Sequence, residues 1–225
     1  MKCYRVTSSK YSDLQSVWDA IGSIEGGRWN KRKTKAIYTA SNYQVAVAEK
    51  SFYKIIPKVE AIKGESSPNY LFEECTNVPF VLLELDINGL QKDLINLTKK
   101  VTLEDWLSKA GLKKYSVSDS RKSPYDFLPE RWTMKLADYL RQQDTKGITA
   151  KSARSDLSNN HIFYPTNLLL EEINIISQKD INISAIDSKN RTYEQVGKKI
   201  KFIKNKVLLD IDKRYEIIDI LNFPI

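Results

Sequence analysis

Four residues carry side chains that could act together on a nucleotide: Arg28, Tyr38 and Glu49 within one short stretch, and Ser152 far downstream. An arginine grips a phosphate through two parallel N–H donors. A tyrosine offers a ring face and a hydroxyl, and a serine hydroxyl both donates and accepts. A carboxylate beside a sugar stabilises the positive charge that develops as a glycosidic bond breaks, and it orients the nucleophile that follows. The chemistry these groups suit is metal-free cleavage of an N-glycosidic bond whose leaving group, like nicotinamide, departs without an acid. Each residue alone has a plainer reading: an arginine in a Gly-Arg-Trp turn sits on the surface, a strand tyrosine fills a core, and a helical glutamate faces water.

Short elements must position these groups. Residues 2–7 read as a strand, and Leu14, Val17, Trp18 and Ile21 predict a helix capped by Ser12 and stopped by Gly22. Gly26-Gly27 permits a sharp turn that holds Arg28 against a ligand. Ala36–Thr39 is rich in strand formers, which puts Tyr38 on a strand, and Tyr43–Glu49 reads as a helix capped near Ser41 that carries Glu49. Pro79–Asp86 is an apolar run suited to a central strand, Leu90–Lys99 and Thr102–Ala110 read as helices, and Lys113–Pro129 as an exposed loop. Trp132, Leu136 and Leu140 share one helical face. Gly147–Ser152 and His161–Tyr164 read as strands that bring Ser152 to their junction, and from Ile173 onward β-branched runs such as Ile181–Ile186 and Lys199–Ile203 alternate with charges. The fold class this predicts is α+β, a mixed β-sheet core with flanking helices and no internal repeats.

The 225 residues suffice for one substantial core, so one domain over 1–225 is expected. The net charge of +8 is uneven: Lys31, Arg32, Lys33 and Lys35 form one cluster, and Lys198, Lys199, Lys201, Lys204 and Lys206 another. Such clusters favour anionic partners, but no zinc-finger spacing, RNP motif or Walker loop accompanies them, so a solvated basic surface, or one facing an acidic partner, is expected before nucleic acid. No apolar run of about 18 residues and no apolar signal-peptide centre occurs, which predicts a cytoplasmic protein. Cys3 and Cys75 lack a CxxC partner and read as buried hydrophobes. With His161 the only histidine, no metal centre is expected, and its place at the head of an apolar strand favours a structural role over a base for Ser152. Trp29 and Trp132 read as core or pocket wall, Trp18 and Trp106 as core.

The order Tyr4-Arg5, Gly26-Gly-Arg-Trp-Asn30, Tyr38-Thr-Ala40 and Ala46–Glu49, followed by Lys151-Ser-Ala-Arg154 and His161–Pro165, resembles the RES domain, a family of bacterial toxins named for its Arg, Glu and Ser. The resemblance spans residues 2 to about 170 and is strongest in the first 50; 88–130 and a basic C-terminal extension are additions to it. It implies a fold akin to ADP-ribosyltransferases and a pocket in which NAD is substrate rather than cofactor. It implies destruction of NAD by glycosidic cleavage with water or phosphate, causing growth arrest. By the same resemblance Glu49, Arg28, Tyr38 and Ser152 take active-site roles, Arg5, Trp29 and Asn30 join the ligand-binding set, and a cognate helix-turn-helix antitoxin is the partner. After Asn30 this chain has Lys31-Arg-Lys-Thr34 where the family has a small turn, which adds positive charge at the pocket edge. Two alternatives remain open: a mono-ADP-ribosyltransferase acting on a protein, and a non-catalytic module whose basic segment, Lys189 to Lys206, recognises nucleic acid or an acidic protein.

Overall fold

A computed structural model describes residues 1–19, 27–54, 78–87, 89–114, 132–155, 157–187 and 202–219. The strands are β1 (Lys2–Thr7), β2 (Ile37–Ala40), β3 (Val78–Ile87), β4 (Leu94–Asn96), β5 (Gly147–Lys151), β6 (Asn159–Phe163), β7 (Ile173–Asp187), β8 (Phe202–Ile211) and β9 (Arg214–Asp219). The helices are α1 (Leu14–Trp18), α2 (Tyr43–Lys54), α3 (Lys100–Lys109) and α4 (Trp132–Gln142). The nine strands among the described residues form one sheet in the order β4-β5-β6-β2-β1-β3-β7-β8-β9, antiparallel except for the β4–β5 pair. The α+β reading therefore holds. Among the described residues no helix is long and apolar enough to cross a membrane.

Strand alternation sorts side chains to the two faces. Tyr4 and Val6 of β1, Phe80 and Leu82 of β3, Ile181 and Ile183 of β7 and Val207 and Leu209 of β8 pack with Val45, Ala46, Val47 and Ala48 of α2. Further along the same face, Ile148, Ala150 and Ile162 pack with Leu103 and Leu107 of α3 and Leu136, Ala137 and Leu140 of α4. On the reverse face Cys3, Ile37, Leu83, Leu85 and Phe163 meet Val17, Leu90 and Leu168. Cys3 is fully buried, and burial pushes its thiol up to about 12, which makes it an inert small hydrophobe.

The sheet has one weak seam. β1 pairs with β3 over six residues but meets β2 only at Tyr4 and Ala40. Where the two strands part, Arg5 donates from Nη1 to the Tyr38 carbonyl at 2.9 Å, supplying the bond a neighbouring strand would have made. Two of the three apolar clusters thus share one face and abut at this seam, with α2 covering one and α3 and α4 the other.

Several local expectations are corrected. Leu90–Lys99 is not a helix: Gly89 at φ 73° turns the chain, a 3-10 turn covers Leu90–Asp93, and β4 follows, parallel to β5 with Ile95 opposite Ile148. The sheet's open edge overrode the helical propensity of that stretch. The α1 cap is Asp13, whose side chain accepts from Ser16 N at 2.8 Å, instead of Ser12. The α2 cap is Asn42, accepting from Val45 N at 2.9 Å, because Ser41 is held by Asn159 across the sheet. The late β-branched runs are parts of one 15-residue strand, β7, and of a β8–β9 hairpin turned at Asp212 and Lys213, both at positive φ. The end of the first helix, Gly26, Cys75, most of the Lys113–Pro129 loop and Lys189 to Lys201 lie outside the described residues.

Candidate active site

The site is assembled where the two core halves meet. Ala40, Asn160 and Ala150 stand side by side across β2, β6 and β5, so their side chains share the helix-bearing face. Asn160 is the polar member of that row and is 5% exposed. Above it, α2 brings Glu49: Asn160 Nδ2 donates to Glu49 Oε1 at 2.6 Å, and Ser152 Oγ donates to the same oxygen at 2.7 Å. The other carboxylate oxygen, Oε2, receives no hydrogen bond among the described residues.

Ser152 is itself fixed. Its Oγ accepts from the backbone N–H groups of Arg154 at 3.0 Å and Ser155 at 3.2 Å, so the single hydroxyl proton is committed to Glu49. The same turn grips α2 a second time, with the Arg154 guanidinium 3.2 Å from the centre of the Phe52 ring, one helical turn beyond Glu49. Two contacts from one turn lock the helix that carries the carboxylate.

Arg28 joins through the residue before Ser152: its Nη2 donates to the Lys151 carbonyl at 2.7 Å. The side chain is 6% exposed, makes no ion pair among the described residues, and its buried Nη1 has no acceptor. A buried cation with an unmet donor is costly to maintain, and an anionic ligand would relieve it. The surface reading of Arg28 therefore does not hold: the side chain is buried.

Tyr38, Trp29 and Asn30 form a second group that holds Arg28 in place. The Tyr38 hydroxyl accepts from Trp29 N at 2.8 Å and donates to Asn30 Oδ1 at 2.7 Å, while Asn30 Nδ2 donates to the Thr34 carbonyl at 2.8 Å. The Trp29 ring is buried edge-to-face on Trp132, their centres 6.2 Å apart. A Cβ on Gly27 would stand 2.5 Å from the Tyr38 hydroxyl oxygen, so only glycine fits beneath that lock. The polar groups of Tyr38 and Asn30 are thus directed at the turn itself, and the core reading of Trp29 holds. Arg5 lies apart from Glu49, on the face of β1 shared with Cys3, propping the Tyr38 carbonyl across the seam. Burial lowers its pKa from the usual arginine value.

The extra charge beside the turn is partly neutralised: Lys31 pairs with Asp138 at 2.9 Å and Lys35 with Asp19 at 2.9 Å. His161 faces away from Ser152. Its Nδ1 meets Thr149 Oγ1 at 2.9 Å, and burial pushes its pKa down to about 4, which keeps it neutral and structural. The residue that sequence reasoning missed is Asn160. A signal was present: in Asn160, Ile162 and Tyr164 the period-two alternation puts an amide on a core-facing position, where a polar group needs a partner.

No curated protein matches the sequence. Among solved structures, the M. tuberculosis MbcT–MbcA toxin–antitoxin complex contains a similar chain, with a TM-score of 0.51 and 16% identity over 80% of this chain and 82% of that one. A likeness at that identity concerns the fold. The model of the RES domain matches residues 2–180, a span that includes Arg28, Glu49, Ser152 and Asn160. On that match across most of its length, the chain belongs to the RES domain family.

Proposed function

We propose that this chain is a toxin that destroys NAD by cleaving the bond between nicotinamide and ribose, with water or phosphate as acceptor, so that growth stops. The observation that carries this reading is Glu49, anchored through Oε1 by Ser152 and Asn160 and set near a buried arginine with an unmet donor. Arg28 Nη1 would meet the diphosphate of NAD and position the nucleotide. Glu49 Oε2 would face the sugar and stabilise its developing positive charge. The C1′–N bond breaks with its electron pair passing to the nicotinamide ring; the ring nitrogen carries positive charge in NAD, so the leaving group departs neutral and needs no acid. Water adding at C1′ gives ADP-ribose and releases a proton, and phosphate adding there gives ADP-ribose 1-phosphate. The protein's part is positioning and electrostatics, which need no metal.

The structural neighbour was solved as a toxin–antitoxin complex. By extension, a cognate antitoxin, a helix-turn-helix protein with an acidic face, is the proposed partner of this chain, whose pI is about 9.2. Incubation with NAD and separation of products by chromatography tests the reaction. Nicotinamide with ADP-ribose, or with its 1-phosphate when phosphate is supplied, is the expected result. Labelled NAD that leaves its label on lysate protein would assign a mono-ADP-ribosyltransferase instead.

A further inference from the structure

We infer that Asn160 is a second determinant of the reaction at this site, fixing the Glu49 carboxylate through its N–H and reading a hydroxyl of the reacting ribose through its Oδ1. This rests on the NAD-cleaving reading above and assigns a role to a residue outside the Arg, Glu and Ser set.

The amide is 5% exposed and half satisfied. Nδ2 donates to Glu49 Oε1 at 2.6 Å, whereas Oδ1 is buried with no partner among the described residues. A buried side-chain carbonyl without a donor is an exception that asks for a reason. The cross-strand neighbours, Ala40 and Ala150, carry only a methyl group each and cannot donate from their side chains. Both atoms of one amide lie about 2.3 Å apart, a spacing set by planar covalent geometry. The orphan acceptor therefore sits beside the carboxylate. If Glu49 is to stabilise charge on the ribose, the ribose must lie against that carboxylate, and its hydroxyls are the donors close enough to meet Oδ1. A diphosphate or a ring nitrogen offers no hydrogen there, and the remaining donor near the sugar, the nicotinamide carboxamide, is separated from the hydroxyl by the deoxy substrate used below.

Two roles follow, and they separate by experiment. As a positioning residue, Asn160 supplies one of the two hydrogen bonds that stop the carboxylate from rotating. As a specificity residue, it penalises a sugar lacking the hydroxyl, because the buried acceptor then stays unmet. Steady-state kinetics with NAD and with NAD lacking the 2′-hydroxyl of the nicotinamide ribose, on wild type, Asn160→Ala and Asn160→Asp, tests both. The wild type should disfavour the deoxy substrate by roughly 100-fold or more in kcat/KM, as sites built around a hydroxyl do. Asn160→Ala should lower kcat for NAD by about 10- to 100-fold with KM changed by less than about 3-fold, and discrimination should collapse to below about 5-fold, since coupled losses do not add. Asn160→Asp keeps volume and an acceptor but replaces the N–H with a second carboxyl oxygen against Glu49, whose charge it opposes, so kcat falls while discrimination survives; it also covers the case in which the alanine variant does not fold. Wild-type discrimination in both variants, or losses that simply add, overturns the inference and leaves NAD cleavage standing. Absence of NAD turnover by the wild type, seen in a separate arm, overturns the proposed function and this inference with it.

Discussion

Asn160 and His161 are neighbours on β6, both buried and both polar, and they teach opposite lessons. Asn160 faces α2, where a carboxylate waits for its amide and an acceptor is left open. His161 faces the reverse side, where Thr149 takes its Nδ1, Thr39 Oγ1 donates to its carbonyl at 3.1 Å, and burial holds the ring neutral. One strand thus sets an amide against a carboxylate on one face and a neutral ring against a threonine on the other. The difference lies in what each residue is set against, since burial and polarity are the same.

Substitutions should break that contrast in a graded way. Glu49→Gln removes the charge and keeps the shape, so NAD cleavage should fall by about 10³-fold or more with melting temperature little changed; nicotinamide release beside a thermal melt reads both. Arg28→Ala should act mainly on KM, raising it by roughly 10- to 100-fold, because it would remove the proposed phosphate contact, worth about 2–3 kcal/mol. Gly27→Ala should behave as a milder version of the same defect: the new methyl displaces the Tyr38 hydroxyl, the turn loosens and Arg28 shifts, at a cost of about 1–3 kcal/mol in stability by overpacking.

His161→Gln should leave kcat and KM within about 2-fold, the mark of the packing face. Its effect lies in the pH dependence of stability. The folded pKa of His161, about 4, lies below the usual histidine value of 6.5, so between those values the unfolded chain binds the extra proton. The neutral ring's contribution is present above pH 6.5 and is lost as pH falls toward 4, a loss on the order of 3 kcal/mol at 1.36 kcal/mol per unit. Denaturant melts of wild type should weaken across that window, and those of His161→Gln should weaken less. Equal slopes would contradict the buried neutral ring. Lys35→Ala, breaking an exposed pair with Asp19, should be the smallest change, below about 1 kcal/mol.

Much of the site was legible because its elements are short and local. Gly27 before Arg28, the β-rich Ala36–Thr39 and the Ala- and Val-rich opening of α2 announce themselves within a few residues. The β5–β6 hairpin was equally plain from its apolar runs. What the sequence hid depends on pairing at a distance. Leu94–Asn96 becomes a strand only because β5 offers an open edge, and Asn160 gains meaning only when α2 sets Glu49 above it. The aromatic hydroxyl of Tyr38 reads as a ligand group until the turn at Trp29 and Asn30 is seen to enclose it. The β8–β9 hairpin, beyond the family-matched span, closes on α2 through Tyr43, whose hydroxyl donates to Glu216 at 2.7 Å. No short motif encodes that contact.

The most direct test of the account is the time course of nicotinamide release from NAD by purified wild type beside Glu49→Gln, with and without phosphate. Steady release by the wild type, abolished in the folded variant, with ADP-ribose or its 1-phosphate as co-product, is the expected result. Equal release by the two proteins, or none by a folded wild type, would contradict the claim that the carboxylate held by Ser152 and Asn160 is the centre of an NAD-cleaving site.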